Sequence, residues 1–272
     1  MSQDKIIQAA FNQLLGTWVG SNGLNVISVP SKDTFLLKVA EINETITFTP
    51  ITGPVPNRGS NELQNIIGVK YEIVISDRTT NENLHIENGM WLYTPLVDAS
   101  SGKNTLVRQA AIPHGNVLSA GGTFVHVNGP PTFLLSSSFP EFSSNVGVPL
   151  DYTQQFQNIQ RTLKPGQNLS NLNELLQTDL KNIEVNDFVF FDVTANQSEI
   201  VNIPFIQSNA NVTSFNAQFW IENAVDKLTN TPLKLLQYNQ TIILDFLKDP
   251  TDPSGTKLIR WPHINVNTLV KQ

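Results

Sequence analysis

The chain has 272 residues, 40% of them hydrophobic and only 15% charged, with a formal net charge of −6 and no cysteine. Without a Lys/Arg cluster this balance argues against nucleic acid and anionic membrane surfaces as partners, since both need basic residues concentrated on one face. The lack of cysteine excludes disulfides, thiolate metal sites and a cysteine nucleophile.

From Asp4 to Leu15 the apolar residues Ile6, Ile7, Ala10, Phe11, Leu14 and Leu15 recur at three- and four-residue steps, which predicts an amphipathic helix able to plug one end of a barrel. The same stretch has polar residues every few positions, so it does not read as a signal peptide. No apolar run is long enough to span a bilayer, and a cytoplasmic location is the expectation. Strand-like runs follow at Trp18–Val29, Thr34–Glu41 and Glu44–Thr49, separated by Pro-Ser-Lys-Asp and Asn-Glu turn signals. In the last of these, Ile46 and Phe48 share the face predicted to meet the core.

Prolines and glycines make Pro50 to Asn65 a loop, of a length that often forms a lid at a barrel mouth. Further strands are predicted at Gly68–Ser76, Leu84–Thr94, Thr105–Ile112 and Gly115–Val127, at the spacing of an up-and-down meander rather than of β-α-β units. The rhythm breaks at Asn128-Gly-Pro-Pro. An excursion at about 129–186 is rich in Ser, Asn, Gln, Pro and Gly, with one helix predicted over Ser170–Lys181, capped by Ser170. Too few apolar residues lie there for a separate core, so it is expected to pack outside the barrel. Strands resume at Phe188–Val193, Val212–Glu222, Leu233–Leu247 and Lys257–Val270. The expected architecture is all-β: one domain over 1–272, a closed antiparallel barrel with an N-terminal helix and a long loop/helix insertion.

No G-x-S-x-G, H-E-x-x-H or phosphate-loop pattern occurs. The glycines at 20, 23, 121 and 122 fall inside strands, where glycine marks a bulge or bend. Four histidines make up the site inventory. His114 lies in a Pro-His-Gly turn and reads as an exposed loop residue, and His126 reads as structural. His85 and Glu87 share a strand face, as a polar pocket group or a solvated surface. His263 opens the last strand on the side of Asn265, Asn267 and Leu269. Periodicity puts Ile264, Val266, Thr268 and Val270 inward and His263 toward water. Scattered histidines disfavour a bare metal ion, which needs several protein ligands, but leave haem open, because porphyrin supplies four nitrogens and one axial histidine completes the site.

GTWVGSNGLNVI resembles the opening G-x-W-x-G-x-G strand of the nitrobindin-like haem-binding barrels, relatives of the lipocalins and fatty-acid-binding proteins in the calycin group. NLHIENGMW is similar to that family's His-x-Glu-x-Gly-aromatic strand, AAIPHGNVLSAGG to its Pro-x-Gly strand pair, and PHINVNTL to its last strand, which carries the iron-binding histidine. The resemblance implies a lipocalin/calycin-like barrel that binds haem b. It makes His263 the axial ligand of the iron, with Trp18 and His85 also at the cofactor and an apolar chamber on the far side. It also implies small-gas or peroxynitrite chemistry once haem is bound. The excursion has no counterpart in short members and offers either a cover for the mouth or a homodimer surface. Two other readings stand beside this one. The first is a fatty-acid or lipid-type carrier in which Arg108 or Arg260 meets a carboxylate. The second is a non-enzymatic structural module whose barrel is filled by its own side chains.

Overall fold

The computed structural model describes residues 3–53, 55–56, 65–94 and 106–272. The amphipathic start forms α1 (Gln3–Leu14), which buries Ile7, Ala10, Phe11 and Leu14. It is followed by β1 (Gly16–Ser31), β2 (Thr34–Pro50), a two-residue β3 (Val55–Pro56), β4 (Asn65–Asp77), β5 (Asn83–Tyr93), β6 (Leu106–Ile112) and β7 (Asn116–Asn128). The excursion contributes α2 (Asp151–Gln160) and α3 (Asn173–Asp179). Then come β8 (Ile183–Asn196), a short β9 (Ile200–Asn202), α4 (Pro204–Asn209), β10 (Asn211–Asp226), β11 (Thr231–Lys248) and β12 (Leu258–Lys271).

Ten strands pair antiparallel in chain order, with β3 and β9 as short additions, and β12 returns to lie beside β1. The sheet is therefore a closed up-and-down barrel. Closure removes the open edges that a chain with so few charges has little other means to protect. Several local expectations need correction. β2 runs unbroken through Asn43-Glu44, where a turn was expected, because β1 and β4 pair with that segment from both sides. The predicted helix at 170–181 is shorter, and its N-cap is Leu172 with no side-chain cap bond, so Ser170 does not cap it. Thr105 and most of the predicted Pro50 to Asn65 loop lie outside the described residues.

The facing of β12 is the reverse of the periodic reading. Trp261, His263, Asn265 and Asn267 point into the barrel, and Ile264 and Val266 point out, yet both are fully buried. The cause is the excursion, which lies over this outer face. Gln237 Nε2 donates to the Leu176 carbonyl at 3.0 Å, Asn239 Nδ2 donates to Asn173 Oδ1 at 2.7 Å, and Phe133 meets Trp220 edge-on at 4.9 Å. An alternation rule assumes one wet face, and these strands have none. The same excursion carries α2 to the barrel end opposite α1. There Phe156 packs against Phe139 and Phe35, at 4.7 and 6.0 Å between ring centroids, and Phe35 packs on Trp261 at 4.4 Å. No described helix is long and apolar enough to cross a membrane.

Candidate functional site

The barrel interior changes character from one end to the other. At the α1 end it is filled. Trp18, fully buried, donates its indole N–H to the Leu14 carbonyl at 2.6 Å, and Phe11 meets Phe191 edge-on at 6.0 Å. Phe191 touches Trp91, and the Trp91 ring lies 5.4 Å from the guanidinium of Arg108, which opens a polar layer across the middle of the barrel.

In that layer Arg108 Nη2 donates to Glu87 Oε1 at 2.6 Å, Tyr71 donates its hydroxyl to the same oxygen at 2.5 Å, and Arg108 Nε donates to the Tyr71 hydroxyl at 3.0 Å. Phe215 and Phe219 also face the guanidinium, at 5.4 and 5.1 Å. Burial alone would raise the Glu87 pKa, but Arg108, His85 and Tyr71 outweigh it and hold the carboxyl down at about 2. The neighbouring carboxyl has the opposite fate. Glu44 accepts from Tyr238 and Asn267, both at 2.8 Å, yet burial pushes it up to about 7. Asn267 reaches it through a gap in β1, where the register shifts between Gly20 and Gly23; a Cβ at Gly23 would fall 2.5 Å from Asn267 Cγ.

Beyond the polar layer the barrel opens into a chamber of about 890 Å³, within the roughly 300–1,000 Å³ typical of small-ligand sites. Its walls are aliphatic: Ile27 and Val29 from β1, Leu37 and Val39 from β2, and Ile242 and Leu244 from β11. Ile159 of α2, Leu163 just beyond it and Ile206 of α4 line its outer part. Three imidazoles open onto it, from β5, the β6–β7 turn and β12.

His263 is half-buried, and its remaining accessible surface faces the chamber. Its pKa is pushed down to about 3, by burial first and then by His85 and His114, so the ring is neutral at physiological pH. One ring nitrogen, Nε2, lies 2.9 Å from Asn25 Oδ1. His85 is buried, its Nε2 lies 3.3 Å from Glu87 Oε2, and its Nδ1 has no hydrogen-bond partner among the described residues. His114 is exposed, as its turn suggested, but its ring stands 5.6 Å from that of His85 and its pKa is lowered by burial and by His85.

Of the residues expected at a cofactor, the structure brings His263 and His85 to one chamber and places Trp18 at the α1 end, beyond the polar layer. Beside these two histidines the chamber holds a third imidazole, that of His114, where the far side was expected to be apolar. His114, Asn25 and the α2 and α4 residues escaped the sequence reading. The one available signal was His114 lying in the turn between two strands of the meander. Neither arginine proposed to meet a carboxylate lines the chamber: Arg108 is paired with Glu87, and Arg260 lies outside, where its Nη1 donates to Glu141 Oε2 at 2.5 Å. His126 pairs on the surface with Asp187 at 3.2 Å.

Among the described residues no group of three or more His, Cys, Asp or Glu side chains is arranged to hold a bare metal ion. Haem asks for less. A neutral imidazole with one nitrogen engaged by an amide oxygen is the state and support an axial ligand needs, and aliphatic walls suit a macrocycle. The residues present fit the group.

No protein-family model matches the chain, and no curated protein matches it. A solved structure, that of Rv2717c from M. tuberculosis, aligns over 97% of this chain and 96% of that one, at 12% identity and a TM-score of 0.42.

Proposed function

We propose that the protein binds a small apolar molecule in the chamber, and that haem b is the occupant His263 is suited to hold. The observation that carries this reading is a neutral histidine, braced by Asn25, on the wall of an aliphatic chamber of about 890 Å³. Bound haem would supply an iron centre open to small gases or peroxynitrite. The chain's own part is to keep the His263 ring unprotonated, fix its plane through Asn25 and limit water with Ile159, Leu163 and Ile206. The test is an absorption titration with hemin. A saturable Soret band at one haem per chain, lost in His263→Ala but kept in Trp18→Phe, supports the assignment, and an unchanged band in His263→Ala overturns it.

A carrier of a lipid-like molecule is the second reading, favoured by the length of aliphatic wall and by the filled α1 half, which gives the chamber a closed floor. A barrel filled throughout by its own side chains fits only that half.

A further inference from the structure

We propose that the chamber selects an amphiphile with an uncharged, hydrogen-bonding head, such as a long-chain alcohol, lodged head-first against His85 with its tail toward α2 and α4. The proposal rests on the chamber reading above and is independent of haem.

The floor of the chamber is polar, and its arginine and glutamate are already paired with one another. Arg108, in the layer behind it, is engaged by Glu87 and Tyr71 through Nη2 and Nε, keeps an Nη1 without a partner among the described residues, and does not line the cavity. Glu87 is ionised and lies 3.3 Å behind His85. Because Arg108 and Glu87 neutralise one another, a carboxylate bonded to the same ring would leave water without gaining a counter-charge. An ammonium fares no better, because the Glu87 oxygens are occupied by Arg108, Tyr71 and His85. The charged residues that do line the cavity, Lys38, Asp77 and Glu82, belong to its solvent-facing edge, where Lys38 and Glu82 are exposed.

A hydroxyl suits the floor for a positive reason. His85 Nδ1 is buried without a partner, an arrangement that costs free energy and that a group able to donate or accept relieves whichever tautomer the ring holds. Of the other polar side chains lining the chamber, Asn25 holds one nitrogen of His263 and Asn116 donates to Asn202 at 2.5 Å. Among the described side chains lining the chamber, His85 Nδ1 is the fully buried polar atom without a partner, and a head group at that ring satisfies it.

The experiment is displacement of the uncharged fluorophore N-phenyl-1-naphthylamine from the full chain at pH 7.5, with dodecanol, dodecanoate and dodecylamine as competitors. Dodecanol should compete at concentrations roughly tenfold or more below either charged analogue. His85→Leu should abolish that preference while leaving fluorophore affinity within about twofold, and His85→Gln, which keeps a hydrogen-bonding head, should retain most of it. Dodecanoate or dodecylamine competing as well as dodecanol overturns the selection by charge and leaves the chamber intact. A preference for dodecanol that survives in a folded His85→Leu overturns the role of His85. Failure of the fluorophore to bind the wild-type chain overturns the chamber reading itself, and this proposal with it.

Discussion

His263 and Asn25, 238 positions apart in the chain, meet at 2.9 Å across the seam where β12 closes the barrel against β1. The amide therefore fixes the imidazole only once the barrel is closed. Asn25→Val should leave the fold intact and loosen the ring, seen as a weaker and broader Soret band in a hemin titration and as faster haem loss to an apo-acceptor.

Keeping His263 neutral has a cost in acid. Its folded pKa, about 3, lies below the ordinary histidine value, so the unfolded chain binds a proton that the folded chain refuses. The contribution is absent above about pH 6.5 and grows as destabilisation while pH falls from there toward 3. Urea titrations at pH 7.5 and 5 should show a smaller loss for His263→Gln than for wild type.

Glu222 behaves in the opposite sense. It is fully buried, neither carboxylate oxygen has a partner, and burial pushes its pKa up to about 8. The folded state therefore holds a proton that the unfolded state releases, and stability falls as pH rises from about 4.5 toward 8. Glu222→Gln should match wild type near pH 4 and exceed it at pH 9 by an amount on the order of 3 kcal/mol, read from chemical denaturation.

Arg108 and Glu87 are both fully buried. Removing one partner strands the other, so Arg108→Met should cost about 3–5 kcal/mol, whereas the double variant Arg108→Met/Glu87→Met should recover a large part of that loss. A double variant no more stable than the single one would show that Tyr71 and His85, rather than the ion pair, carry the layer.

Phe156 anchors α2 over the chamber end. Truncation to Ala should cost about 3–5 kcal/mol, as for other buried aromatics. It should also raise the dissociation rate of a chamber-bound fluorophore, because Ile159 and Leu163 depend on the same helix and its exit. Stopped-flow displacement compared with wild type reads that rate directly.

The barrel was legible because its strands alternate and are separated by turn residues, and because α1 repeats at helical steps. The facing of His263 was not, since Ile264 and Val266 form a better apolar set than Asn265 and Asn267, and only the excursion explains why they point outward. The continuity of β2 was hidden by Asn43-Glu44, a turn-like pair whose glutamate is held inside by Tyr238 and Asn267. His85 with Glu87 could be read as a pair on one face, but not as the link between a polar layer and a chamber. Their third neighbour, His114, comes from another turn, and no local pattern reports such a meeting.

The excursion precedes β8 to β12 in the chain, so on the ribosome Phe133, Leu172 and Leu176 emerge before most of the surface they cover exists. Until the last strands arrive these side chains have little to lie on, and the outer faces of those strands, Trp220, Ile264 and Val266 among them, are equally bare without the excursion. Deleting 129–182 to make a shorter barrel would therefore expose an apolar flank and favour aggregation.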